Sequence, residues 1–200
     1  EYIYLNQSTV NIMFKNTKEI YYDATMKLSE DQKFDTQLIM KKEKIGYCEE
    51  ATYYYRRHGG GVSQNVNSMV YCFESILDYN EWLLKNYTVN GKTNKYIQSL
   101  IINTINWRLQ SNMLLPYHYE NEEFDKAFNR IVNLIEHVDD DTILNMKNMW
   151  QSHKVFIFKL KKAKFDLLTE DNKIIMKVNN NVLIDTKRIY LQLTNYYFDN

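Results

Sequence analysis

Between Asn67 and Trp150 the apolar residues recur at helical spacing, and this stretch limits most narrowly what the chain can fold into. Val70, Phe73, Leu77, Asn80 and Leu84 mark one face of a first helix that ends near Asn90 and Gly91. Ile97, Leu100, Ile101, Ile105 and Leu109 mark a second, which must stop before Pro116 because proline lacks the amide a helix interior needs. Phe124, Phe128, Ile131, Leu134 and Ile135 predict a third, and Ile143, Met146 and Trp150 a fourth, after a cap region at Asp139-Asp140-Asp141-Thr142. Stripes of this kind pack helices against one another rather than line a cofactor site.

The period changes on both sides. Downstream, Val155-Phe156-Ile157-Phe158, Phe165-Asp166-Leu167-Leu168, Lys173 to Val178, Val182-Leu183-Ile184 and Ile189 to Leu193 read as strands. Asp171-Asn172 and Asn179-Asn180-Asn181 supply turns between them. Upstream, Ser29 and Gln32 have the spacing of a capping box and predict a helix from about Glu30 to Lys44, with Phe34, Leu38 and Lys41 or Lys42 on one stripe. Ile45 to Cys48 and Thr52 to Arg56 are rich in β-favouring residues and predict strands, broken off at Gly59-Gly60-Gly61. Three zones result: residues 1–66, a helical region at 67–152, and a β-rich module, or the start of one, at 153–200.

Twenty-five basic residues balance twenty-five acidic ones, which disfavours nucleic acid as a partner. With 44% apolar and 25% charged residues the chain has the composition of a folded domain, and no apolar run reaches the ~18 residues of a membrane span. Cys48 and Cys72, the only cysteines, form neither a zinc set nor a disulfide framework and read as buried small hydrophobes in a reducing compartment. His118, His137 and His153 have no ligand-spaced partners and read as surface residues. Glu at position 1 and the absence of a leader-like start read as a fragment or a processed chain.

Residues 14 to 65 carry a further pattern. Phe14-Lys15, Ile20-Tyr21-Tyr22-Asp23, Ser29-Glu30-Asp31-Gln32-Lys33-Phe34, Ile45-Gly46 and Tyr53-Tyr54-Tyr55-Arg56-Arg57 precede Gly59 and Ser63. In order and spacing these resemble the second half of a family 2 glycosyltransferase of the GT-A type. The fold so implied is α/β to α+β: the C-terminal half of a GT-A, Rossmann-like domain, then the helical region and the small β module.

The resemblance implies inverting sugar transfer from a nucleotide-sugar donor to a cell-surface polysaccharide, a teichoic acid, or another glycan or polyol-phosphate acceptor. Asp31 would be the general base and Glu30 would orient a sugar; the plainer role for both is to complement the positive end of the helix dipole. Arg56 or Arg57, with Ser63 and the glycine loop, would hold the leaving diphosphate, and neighbouring strand residues face opposite ways, so only one arginine should reach it. His58 would contribute to a divalent-metal site, or would be a plain loop histidine. The main ligands for magnesium or manganese are expected upstream, because Asp139-Asp140-Asp141 matches D-x-D only as a string and sits at a helix start.

The same resemblance implies a place in bacterial cell-wall polysaccharide synthesis, in the cytoplasm at the inner face of the membrane. It allows peripheral membrane association and homo-oligomers. The 200 residues alone are expected to be inactive. The alternative is a non-catalytic module for oligomerisation or polymer binding.

Overall fold

The structure, a computed structural model, describes residues 12–15, 18–26, 28–46, 48–54, 73–170, 173–179 and 181–185. It is mostly helical, with two small antiparallel sheets. The helices are α1 (Glu30–Lys42), α2 (Ser75–Tyr87), α3 (Lys95–Gln110), α4 (Asn121–Glu136), α5 (Asp140–Asn145) and α6 (Gln151–Leu160). Strands β1 (Thr88–Val89) and β2 (Lys92–Thr93) form a hairpin between α2 and α3. After α6 come β3 (Phe165–Glu170), β4 (Lys173–Val178) and β5 (Asn181–Asp185), in the order β3-β4-β5.

The helical stripes close one core. Leu77 and Leu83 of α2, Ile97, Leu100, Ile101 and Ile105 of α3, and Ile131, Leu134 and Ile135 of α4 are almost wholly buried together. Helix α3 is buried on most of its circumference, because α2, α4 and α5 all pack against it. Several polar groups caught in this core are paired, which offsets the cost of burying them. Asn80 Nδ2 donates to Thr104 Oγ1 at 2.9 Å. Gln98 joins α3 to the start of α5: its Nε2 donates to the Thr93 carbonyl at 2.9 Å and to Asp139 Oδ2 at 3.0 Å, and its Oε1 accepts from Asp139 N and from the Thr142 hydroxyl, both at 2.9 Å.

Several expectations are corrected here. The apolar run Val155 to Phe158 is helix α6, not a strand; residues His153 to Phe158 are all buried, and a helix buried on every side loses the alternation of polar and apolar faces that would reveal it. The expected fourth helix stops at Asn145 as α5, and Met146 to Trp150 form a non-helical link to α6, leaving Trp150 59% exposed. Asn90-Gly91, expected only to end a helix, turns the β1-β2 hairpin; both residues have positive φ, 51° and 74°, as a tight two-residue hairpin turn demands. Among the described residues between 45 and 54 no strand forms, since a strand exists only where a neighbour completes its hydrogen-bond ladder. Cys48 is exposed rather than buried, its thiol directed at Glu50 Oε2 at 3.7 Å. His153 is buried rather than superficial, with Nδ1 3.2 Å from Asn106 Oδ1.

The C-terminal strands do form a small sheet, with Phe165 opposite Val178 and Leu167 opposite Met176. Val178 is 1% exposed and Phe165 packs beside it, which fastens the sheet to the helical core. Asn179, in the left-handed conformation at φ 48°, donates from Nδ2 to Asp140 Oδ2 at 2.8 Å and accepts from the Lys164 amide at 3.1 Å. The expected strand Ile189 to Leu193 lies outside the described residues.

Candidate active site

Helix α1 carries the Glu30-Asp31 pair in its first turn, and its setting decides what that pair can do. The expected capping box at Ser29 does not form: Ser29 sits in the left-handed region at φ 66° and its side chain makes no cap bond. Asp31 takes over part of that task, its Oδ1 accepting the Gln32 amide at 2.8 Å. A carboxylate can complement the positive end of a helix from the first turn as well as from the cap position, so loss of the serine cap leaves the helix start stabilised.

Both faces of α1 are held. On one side, the extended segment before it lies across Phe34, whose ring stacks on Tyr22 at 4.4 Å between centroids and tilts against Phe14 at 5.2 Å. Asp23 Oδ2 receives Lys33 Nζ at 2.6 Å and its other oxygen caps the turn at Thr25; these bonds hold the Asp23 carboxyl well below the usual carboxylate range. Glu19 pairs with Lys41 further along. On the other side, the Tyr79 hydroxyl of α2 meets Thr36 Oγ1 at 2.7 Å and reaches the Gln32 carbonyl at 3.4 Å, while Lys33 Nζ also lies 5.0 Å from the centre of the Trp82 ring. The Phe of the E-D-x-x-F pattern is thus an anchor, and the segment holding Asp23 is its clamp.

Asp31 is half-buried, and that burial raises its proton affinity; the Gln32 amide opposes the rise and the neighbouring Glu30 charge adds to it. Glu30 is half-buried beside it. One turn on, Asp35 was not among the residues the sequence pattern singled out. It is 0% exposed, neither of its oxygens has a hydrogen-bond partner among the described residues, and burial followed by the charge of Asp31 pushes its pKa up to about 7. Asp31, Asp35 and Leu38 fall at i, i+4 and i+7, so Asp35 stands on the side of α1 that carries Leu38, but nothing in that spacing marks it as enclosed. The buried hydroxyl of Tyr96, on α3, is likewise without a partner, and burial and the Asp35 charge raise its pKa to about 12.

Arg56, Arg57, His58 and Ser63 lie outside the described residues. Among the described residues no group of three or more His, Cys, Asp or Glu is arranged to hold a metal ion. Asp139-Asp140-Asp141 is occupied in structural pairing: Asp139 and Asp141 bracket Lys95, the former at 2.7 Å, and Asp140 meets Lys161 at 2.8 Å. Tyr53, Tyr54 and Tyr117 are exposed, whereas Tyr119 is half-buried and bonds to the Met113 carbonyl at 2.8 Å. A cleft of about 400 Å³, lined by Met40, Tyr87, Asn86 and Asn94 among others, opens at the far end of α1. Met40 is nine residues beyond Asp31, a rise of about 13 Å along the helix, so this cleft is separate from the acidic pair. Among the described residues no helix is long and apolar enough to cross a membrane.

No protein-family model and no solved structure matches the chain. It is similar to the minor teichoic acid biosynthesis protein GgaB of Bacillus subtilis (strain 168), with 24% identity over 154 residues covering 72% of this chain. The match takes in only 16% of that protein's length.

Proposed function

We propose that this chain is part of an inverting, nucleotide-sugar-dependent glycosyltransferase of the GT-A type that extends a teichoic acid or related surface glycan at the cytoplasmic face of the membrane. The similarity to a teichoic acid biosynthesis protein carries this reading. The seat of Asp31, held in the first turn of a helix clamped on both sides, supports it.

In such a reaction the acceptor hydroxyl oxygen bonds to the anomeric carbon as the bond from that carbon to the diphosphate oxygen breaks. The hydroxyl proton passes to Asp31 and the electron pair of the broken bond leaves with the nucleoside diphosphate. A general base is more effective when its proton affinity lies closer to the working pH, and burial moves Asp31 in that direction. Glu30 would orient a sugar by hydrogen bonding. Arg56 or Arg57, with Ser63, would meet the charge growing on the leaving diphosphate. Ligands for a divalent metal, His58 excepted, would come from elsewhere in the protein.

Asp31→Asn in the whole protein tests the reading. The expected result is a fall in kcat of at least about a hundredfold with donor affinity nearly kept, because a base acts in the transition state and not in the ground state. Turnover like that of the unaltered protein would remove Asp31 from the mechanism. Calorimetry with the nucleoside diphosphate tests the arginines: one of Arg56→Ala and Arg57→Ala should weaken binding, and no loss in either would refute their role.

A further inference from the structure

An ionised carboxylate with no partner is among the costliest groups to bury, and a protein that keeps one either supplies a counter-charge or leaves a proton on it. Among the described residues Asp35 has no counter-charge. It lies wholly inside, on the face of α1 that turns toward the helical core, between the anchors Phe34 and Leu38. Among the described residues the charged and titratable groups near it are Asp31 on its own helix, Tyr79 on α2 and Tyr96 on α3, each of which is either acidic or neutral. Lys33, the nearest lysine in sequence, is engaged by Asp23 and Trp82. Residues four apart on a helix are neighbours, so Asp31 and Asp35 stand one turn apart, one reaching the surface and one enclosed.

We propose that Asp35 is a positioning residue for Asp31: the two carboxyls form a pair carrying a single negative charge, with the proton kept on the enclosed Asp35 and the charge on the accessible Asp31. This rests on the reading of Asp31 as the base. The enclosed, neutral carboxyl lets α1 sit against α2 and α3 without an ion in the interface, and leaves Asp31 as the member of the pair that faces the acceptor. When Asp35 loses its proton, a second negative charge appears behind Asp31. That charge disfavours the seating of α1 and repels a donor that is itself an anion. The consequence is a loss of transfer on the alkaline side, centred on the titration of Asp35.

Two measurements test this. In the unaltered chain, carboxyl carbon NMR should show Asp35 titrating near neutral pH, and Asp31→Asn should lower that midpoint because the neighbouring charge is gone. Titration of Asp35 in the ordinary carboxylate range, or a midpoint unmoved by Asp31→Asn, would overturn the proposal whatever the protein's activity. In the whole protein, kcat/KM of the unaltered enzyme should fall by about twenty- to thirtyfold from pH 6.5 to 8.5, on the order of tenfold per unit once past a midpoint near 7 for one controlling ionisation, and Asp35→Asn should flatten that limb. An alkaline limb kept intact in Asp35→Asn would also overturn it. If Asp31→Asn transfers sugar normally while the NMR coupling is present, the assignment of the base has failed and the paired carboxyls have not.

Discussion

Asp35 and His153 are both enclosed, and their linkage to pH runs in opposite directions. Asp35 has its pKa raised from 3.8 to about 7, so the folded state holds a proton that the unfolded state releases, and stability falls as pH rises through that window. His153 has its pKa lowered by burial from 6.5 to about 4, so the unfolded state binds the proton and stability rises with pH from about 4 to 6.5. The two slopes offset each other. Asp35→Asn should therefore raise stability above pH 7, by at most about 4 kcal/mol, and should uncover a stability that climbs between pH 4 and 6.5. Urea unfolding of both forms at pH 4, 6 and 8 measures it, and an equal gain at all three values would contradict the assignment. That Glu30 and Asp31 open a helix was legible in the sequence, whereas the burial of Asp35 and His153 was not, because solvent access depends on what packs over a side chain.

At the scale of elements, the seating of α1 and the joint between α3 and α5 each hang on a few polar groups. Tyr79→Phe removes the hydroxyl that meets Thr36 and the Gln32 carbonyl, and should cost about 1 kcal/mol while loosening α1 from α2. Faster amide exchange within Glu30–Lys42, with α3 and α4 unchanged, is the expected signature. Gln98→Leu removes a side chain that serves the Thr93 carbonyl, Asp139 and Thr142 at once, and leaves buried groups unsatisfied. A loss of about 2–3 kcal/mol in denaturant unfolding is expected, against well under 1 kcal/mol for an exposed position such as Lys126. The helices α2, α3 and α4 followed from their stripes of residues. Helix α6 did not, since its continuous apolar run suits an enclosed strand as well as an enclosed helix until its neighbours are known.

The core joins the helices from Phe73 onward to Val178 of the sheet, and before Phe73 the described residues add only Phe34 and Leu38 to the buried apolar set. The chain should accordingly unfold in two stages, with the described residues between 12 and 54 opening at lower denaturant than the helical core. Native-state hydrogen exchange checks this: the amides of α3, the most enclosed helix, should be the last to exchange. The 200 residues alone are also expected to show neither sugar transfer nor donor hydrolysis with a panel of nucleotide sugars and magnesium or manganese. A base stabilises the transition state only when donor and acceptor are held against it. Robust activity would place the donor site within this chain.

The periodicity of Phe73, Leu77, Ile97, Ile101, Ile131 and Ile135 determined by itself that helices would form and which faces would meet, because helix geometry converts spacing directly into direction. Asn179 likewise marked where the chain reverses, since few residues tolerate positive φ. Tertiary structure alone decided that Ser29 would not cap α1, that Val155 to Phe158 would coil rather than extend, and that Asp35 would be sealed beside Tyr96. Each of these depends on contacts between segments far apart in sequence, and the energies of desolvation and packing that settle them belong to the assembled interior and to no local stretch of residues.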